Sequence, residues 1–215
     1  MNINRSDILQ LCAIVAAAAL LTLVLRTVVP IGQDVTDSPL ARAVREDRSS
    51  PTAETPSADL TLVVFTDYQC PACRVSHEAM RQAVSKDGKV RIVYKDWPIF
   101  GSTSTRAAEV AIASRYQKIY PLVHDQLMTG RVDSDDALQV AVERAGGDWL
   151  RLRGDLQANR KEITEQIARN RMQAFGLGLQ GTPGYLVGPI LVRGALTEAE
   201  FARVFRDART ASEKE

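Results

Sequence analysis

Two cysteines separated by two residues, Cys70-Pro71-Ala72-Cys73, follow closely on the apolar run Leu60-Thr61-Leu62-Val63-Val64-Phe65. That order dictates a local architecture. A short continuous apolar run with β-branched residues at its centre reads as a buried strand, and proline is favoured at the first position of a helix. A sulfur held where a strand turns into a helix faces the positive end of the helix dipole and unpaired backbone N–H groups. Those groups stabilise thiolate over thiol and make the sulfur reactive. The same spacing serves an exposed structural disulfide or half of a zinc site. The strand before it and the helical pattern after it favour redox chemistry.

The pattern after the pair supports this reading. Val75, Ala79, Met80 and Ala83 recur at helical spacing up to a stop at Asp87-Gly88, and Val90-Arg91-Ile92-Val93-Tyr94 alternates as a second strand. Strand, helix and strand in that compass make a βαβ unit with parallel strands. After Trp97-Pro98 and Gly101 the chain turns helical. One helix runs from Ala107 to Tyr116 and breaks or bends near Pro121. A second is capped by Ser134 or Asp133 and ends at Gly146-Gly147. Asp148 caps a third, and a fourth runs through Ile163, Ile167 and Met172 to Gly176. Two short β segments, Tyr185–Val187 and Ile190–Val192, flank the turn Gly188-Pro189. The capping box Thr197-Glu198-Ala199-Glu200 opens a last helix. The fold class is therefore α/β: one sheet with an all-helical insertion at about 103–174, in a folded domain covering 59–212.

Residues 1–31 read as a signal anchor or signal peptide. Leu11 to Leu25 carry no charge, Arg5 precedes them and Arg26 ends them. Fifteen residues is short for a membrane span and matches a secretory core. No small-residue cleavage site follows directly, which favours a retained anchor, and either reading exports the rest. Cys12 lies inside this run and reads as a small hydrophobe. Residues 32–58, rich in Asp, Ser, Pro, Arg, Thr and Glu, read as a flexible linker. With 27 Lys and Arg against 26 Asp and Glu in 215 residues, interspersed throughout, the chain lacks the basic stripe of a nucleic-acid binder. A redox-type cysteine pair fits an oxidising compartment and places the bulk of the chain outside the cytoplasm.

Three segments together resemble the DsbA family, the thioredoxin-fold disulfide oxidoreductases of bacterial envelopes, in their membrane-anchored, Com1-like branch. They are Phe65-Thr66-Asp67-Tyr68-Gln69-Cys70-Pro71-Ala72-Cys73, Lys95-Asp96-Trp97-Pro98-Ile99-Phe100-Gly101, and Gly181-Thr182-Pro183. The resemblance covers about residues 58–209. It implies a thioredoxin core with the helical domain inserted. It implies catalysis by Cys70 as the exposed, low-pKa nucleophile and Cys73 as the more buried resolving thiol. Pro71 and Ala72 are the active-site dipeptide, with Ala72 lacking the charge that relatives bearing histidine there use to strengthen the oxidant. Thr182, before a cis Pro183, offers backbone to an extended substrate. No cofactor is implied. The partners are cysteine-containing client proteins and a membrane redox partner, either a quinone-linked oxidase or a thiol donor.

Several residues remain open at this level. Relatives often carry a buried acid six residues before the first cysteine, where this chain has Val64. Asp67 is the residue expected to cap or orient the turn. Lys95 either approaches the site or is a solvated strand-end lysine. Tyr68 either lines a shallow apolar surface for clients or packs inside, while Trp97, Trp149 and Tyr116 read as packing. His77 and His124 with the two cysteines have the composition of a Cys₂His₂ zinc site, although the spacing matches no compact module, and a satisfied helix histidine is the default. The functional expectation is an exported thiol–disulfide oxidoreductase. A zinc- or copper-delivery module and a dedicated reductase of the same fold are the alternatives.

Overall fold

The computed structural model describes residues 10–11, 13–18, 20 and 30–212. It divides into a unit ending at Ile31 and a unit starting at Gly32. In the first, the described residues 10–11, 13–18 and 20 are helical. Among the described residues no helix is long and apolar enough to cross a membrane. Cys12 and much of the expected anchor lie outside the described residues.

The second unit is built on a six-stranded sheet of order β1-β6-β5-β3-β4-β2. In chain order come β1 (Gln33–Asp34), α1 (Pro39–Arg45), β2 (Thr52–Ala53), β3 (Leu60–Thr66), α2 (Pro71–Asp87) and β4 (Val90–Asp96). The helical block follows as α3 (Ser102–Ala113), a 3₁₀ turn, α4 (Tyr120–Thr129), α5 (Asp135–Arg144), α6 (Trp149–Ala158) and α7 (Arg160–Gly176). The chain closes with β5 (Gly184–Val187), β6 (Ile190–Arg193) and α8 (Glu198–Ser212). β3 and β4 run parallel, Thr66 opposite Asp96, and every other pairing is antiparallel. This is a mixed α/β thioredoxin-like fold with a helical insertion.

The two faces of β3 follow its alternation. Val63 and Phe65 enter a core with Trp97, Leu186 and Leu191, capped by Ala41 and Val44 of α1 and Ala174 of α7. Val64 pairs with Tyr185 across the sheet. On that side the Tyr185 hydroxyl meets Ser76 Oγ of α2 at 2.8 Å, and its ring packs edge-on against Phe201 of α8 with centroids 5.0 Å apart. Helix α2 stops at Gly88, whose φ of 73° is a left-handed C-cap that glycine adopts without a Cβ penalty. Its buried face runs through Cys73, Ser76, His77, Met80 and Ala83, while Val75 is 77 % exposed. The helix is thus rotated from the purely apolar reading. Ser76 faces inward because its Oγ accepts the Leu196 N–H and donates to the Leu196 carbonyl.

Residues 32–58 are not a flexible linker. β1 and β2 pair with β6 and β4 and form the two outermost strands, and α1 buries Ala41 and Val44 completely. Ser38 caps α1 by accepting the Ala41 N–H at 3.2 Å, and Pro39 starts it. The apolar spacing Leu40, Ala41, Val44 marks this helix, but seven residues among charged neighbours leave only two inward positions. The segment also covers both open edges of the sheet, which would otherwise present unpaired backbone. The break expected near Pro121 separates α3 from α4, and Pro121 sits in the first turn of α4, where its missing N–H is harmless.

Candidate active site

Cys70 is the N-cap of α2. Its backbone is extended (φ −74°, ψ 115°), and its sulfur accepts the Cys73 N–H at 3.3 Å. The sulfur thus occupies the place a serine or aspartate oxygen takes in an ordinary cap. Both sulfurs are free thiols. The Cys70 thiol donates to the Thr182 carbonyl at 3.4 Å, and the Thr182–Pro183 peptide bond is cis. The structure therefore brings Cys70, Cys73 and Thr182 together, with Cys70 and Thr182 112 residues apart in sequence. Pro71 and Ala72 are exposed beside them, and Pro183 is buried.

Cys70 departs from the sequence expectation of an exposed sulfur: it is 3 % exposed against 2 % for Cys73. As a cap it turns back over the helix end and lies under the Thr182 carbonyl. Burial, reinforced by the neighbouring Cys70 sulfur, pushes the Cys73 thiol up to about 12; Thr182, the Asp67 backbone and Thr66 oppose the rise. Val64 points to the α2 side of the sheet, so this face carries an apolar residue six positions before Cys70, as read from the sequence.

Asp67 orients the turn. Its Oδ1 accepts from the Gln69 N–H at 2.7 Å and the Ser104 hydroxyl at 2.7 Å. Its Oδ2 accepts from the Ile99 and Phe100 N–H groups at 2.6 and 3.2 Å, and its carbonyl accepts the Cys70 N–H at 3.1 Å. One buried carboxylate thus joins the cysteine turn, the loop after β4 and the first turn of α3. That loop presents Ile99 and Phe100, half exposed, as an apolar shoulder that local sequence patterning does not single out.

Lys95 neither approaches the sulfurs nor meets water. It is fully buried, bonded to Asp47 and to Ser50 Oγ at 2.8 Å. Burial lowers its pKa and the Asp47 carboxylate offsets this in part. Burial raises Asp47 in turn, but Lys95 and Ser49 outweigh it and hold the carboxyl well below its usual range. Arg74, the residue after Cys73, donates to the carbonyls of Tyr68 (3.1 Å), Leu127 (2.9 Å) and Gly130.

Tyr68 is 1 % exposed, so it lines no client surface. Its hydroxyl lies 2.9 Å from His124 Nδ1. His77 and His124 face each other, rings 5.2 Å apart, and His77 Nε2 lies 3.1 Å from Asp125 Oδ1. Both histidines are engaged in this buried cluster. No group of three or more His, Cys, Asp or Glu is placed to hold a metal ion among the described residues.

Comparison with known proteins follows the same lines. A family model described as thioredoxin matches residues 50–207. A curated relative named probable disulfide bond formation protein D, from Bacillus anthracis, is 25% identical over 158 residues, 67% of this chain and 70% of its own length. A thioredoxin-like oxidoreductase from Silicibacter pomeroyi is 32% identical, with a TM-score of 0.71 over 80% of this chain and 97% of that one. A periplasmic thioredoxin-like protein from Salmonella enterica serovar Typhimurium is 28% identical, with a TM-score of 0.69 over 80% of this chain and 98% of that one.

Proposed function

The chain belongs to the thioredoxin family and is a DsbA-type thiol–disulfide oxidoreductase; on that premise we propose that Cys70 and Cys73 are its redox centre, with Cys70 the sulfur that exchanges with clients. The observation that carries this is the Cys70 sulfur capping α2. There the sulfur sits at a helix N-terminus on the Cys73 N–H, the setting in which reactive cysteines are found.

In the oxidising direction a client thiolate attacks Cys70 in the Cys70–Cys73 disulfide. The S–S bond breaks, a mixed disulfide forms at Cys70, and Cys73 leaves as a thiolate. Burial pushes its thiol up to about 12, so at neutral pH it ends protonated, the proton coming from solvent. A second client thiolate then attacks the client sulfur of the mixed disulfide and releases Cys70 as a thiolate. Two electrons pass from the client to the sulfur pair, and the client gains a disulfide. The pair is reset by a membrane redox partner: a quinone-linked oxidase takes up the two electrons and re-forms the disulfide, whereas a thiol donor keeps the pair reduced for the reverse direction. The reverse sequence describes reduction or isomerisation, and the poise of the pair selects among them. Thr182, before the cis bond, offers backbone to an extended client segment beside the sulfur, a sequence-tolerant mode of recognition. The clients are cysteine-containing envelope proteins, and the N-terminal segment serves as export signal or anchor, consistent with periplasmic relatives.

The test equilibrates the full chain with a series of reduced and oxidised glutathione, with Cys70→Ser as control. A reversible, oxidising midpoint supports disulfide formation or isomerisation. A strongly reducing midpoint assigns a reductase. Absence of any exchange overturns the catalytic reading.

A further inference from the structure

The helical insertion reaches the cysteine turn through buried polar groups that the exchange chemistry does not itself use. Tyr68, two residues before Cys70, sends its side chain away from the sulfurs into the insertion, where its hydroxyl lies 2.9 Å from His124 Nδ1 and 3.4 Å from the Tyr120 hydroxyl. Tyr120 in turn donates to Asp96 Oδ2 at 2.8 Å. All four residues are at most 2 % exposed.

The pattern has a direction. Tyr120 spends its only proton on Asp96, so toward Tyr68 it acts as an acceptor. His124 Nε2 has no hydrogen-bond partner, and a buried bare lone pair is less costly than a buried bare N–H. The neutral ring therefore carries its proton on Nδ1. The donors then run in one sense, from His124 Nδ1–H to the Tyr68 hydroxyl, to the Tyr120 hydroxyl, to the Asp96 carboxyl. Such chains polarise their members cooperatively. A second tie fastens the same turn: Arg74, just after Cys73, donates to the Tyr68 carbonyl and to the Leu127 and Gly130 carbonyls at the end of α4. Residues 68–74, which contain both sulfurs, are thus gripped from each end by α4.

We propose that the helical insertion sets the redox equilibrium of the Cys70–Cys73 pair by holding this turn, with Tyr68 as the positioning residue at the joint. This rests on the thiol–disulfide reading of the site. The grip holds the turn in the geometry of the reduced pair, with the Cys70 sulfur capping α2 on the Cys73 N–H. Loosening it shifts the equilibrium toward the disulfide.

The experiment uses full-length Tyr68→Phe, which keeps the ring and deletes the hydroxyl, with Tyr116→Phe on the insertion surface as control. Two quantities are read. One is the equilibrium of protein disulfide plus two glutathione thiols with protein dithiol plus glutathione disulfide. The other is the rate of alkylation of the reduced protein at the Cys70 peptide, at fixed pH. Tyr68→Phe is expected to move the equilibrium at least threefold toward the disulfide and to speed alkylation of Cys70, which is 3 % exposed in the held turn, with Tyr116→Phe unchanged. His124→Leu should reproduce the shift, and His124→Asn, which keeps a polar group in the Nδ1 position, should largely restore wild-type values. Those two variants also decide the matter if Tyr68→Phe fails to fold. An unchanged equilibrium and alkylation rate in folded Tyr68→Phe or His124→Leu overturns the proposal while wild-type exchange stands. Loss of exchange in the wild type itself overturns the underlying reading instead.

Discussion

At the scale of single residues, the buried carboxylates divide by the partners they find. Asp67 collects four donors around one side chain, so both its oxygens are satisfied. Asp96 is fully buried with no cation on it; the tyrosine hydroxyls only partly offset burial, and Asp67 adds repulsion, so its carboxyl is pushed up to about 7. An acid whose pKa is higher folded than unfolded contributes stability that is complete below its unfolded value and lost as pH rises through the folded one. For Asp96 that window runs from about 3.8 to about 7. Asp96→Asn keeps an acceptor for Tyr120 and never ionises. It is expected to match wild type near pH 4 and to be more stable at pH 8, by roughly 1–3 kcal/mol. Urea unfolding at the two pH values checks this, and parallel losses in both proteins would refute it. His124, in the same cluster, is depressed to about 3, by burial first and then by His77, so it stays neutral over this range.

Among the elements, α1 with its flanking short strands shows how a charged segment becomes part of a core. Its two buried apolar residues are a small anchor. The larger one is the Asp47–Lys95 ion pair, which joins the segment to β4. Ser50 Oγ extends it by accepting from Gln166 Nε2 of α7 at 3.0 Å. Lys95 was legible as a strand residue, but its partner lies 48 positions away in a stretch whose composition looks solvated. Removing one member of a buried pair leaves an uncompensated charge, at about 3–5 kcal/mol. Asp47→Ala should therefore lose stability on that order, and Asp47→Ala with Lys95→Met should recover most of it. A single variant as stable as wild type in denaturant titration would show that the pair holds nothing.

For the molecule as a whole, the sheet is complete only with residues 32–53. Without them β4 and β6 become open edges, Lys95 loses its counter-ion, and the core face under α1 is uncovered. A chain beginning at Gly32 is expected to melt cooperatively. One beginning at Asp59 should melt roughly 10 °C or more lower, or aggregate through its edges. Thermal melts followed by circular dichroism, with light scattering, separate the two. Equal melting temperatures would mean the segment is an appendage after all.

Local pattern alone determined the strand, the helix with its cysteine cap, the parallel βαβ unit, the helical block and the closing hairpin and helix. Each of these rests on short-range rules: alternation along Leu60–Phe65, proline at a first helical position, Asp148 and Thr197 at caps. Tertiary structure decided which groups meet across long separations. It laid the Thr182 carbonyl over Cys70, turned Tyr68 inward to His124, buried Lys95 against Asp47 and folded residues 32–53 onto both sheet edges. Those outcomes depend on desolvation and on partners distant in sequence. A buried charge or hydroxyl takes its position from whichever group can satisfy it, and no periodicity in the chain records which group that is.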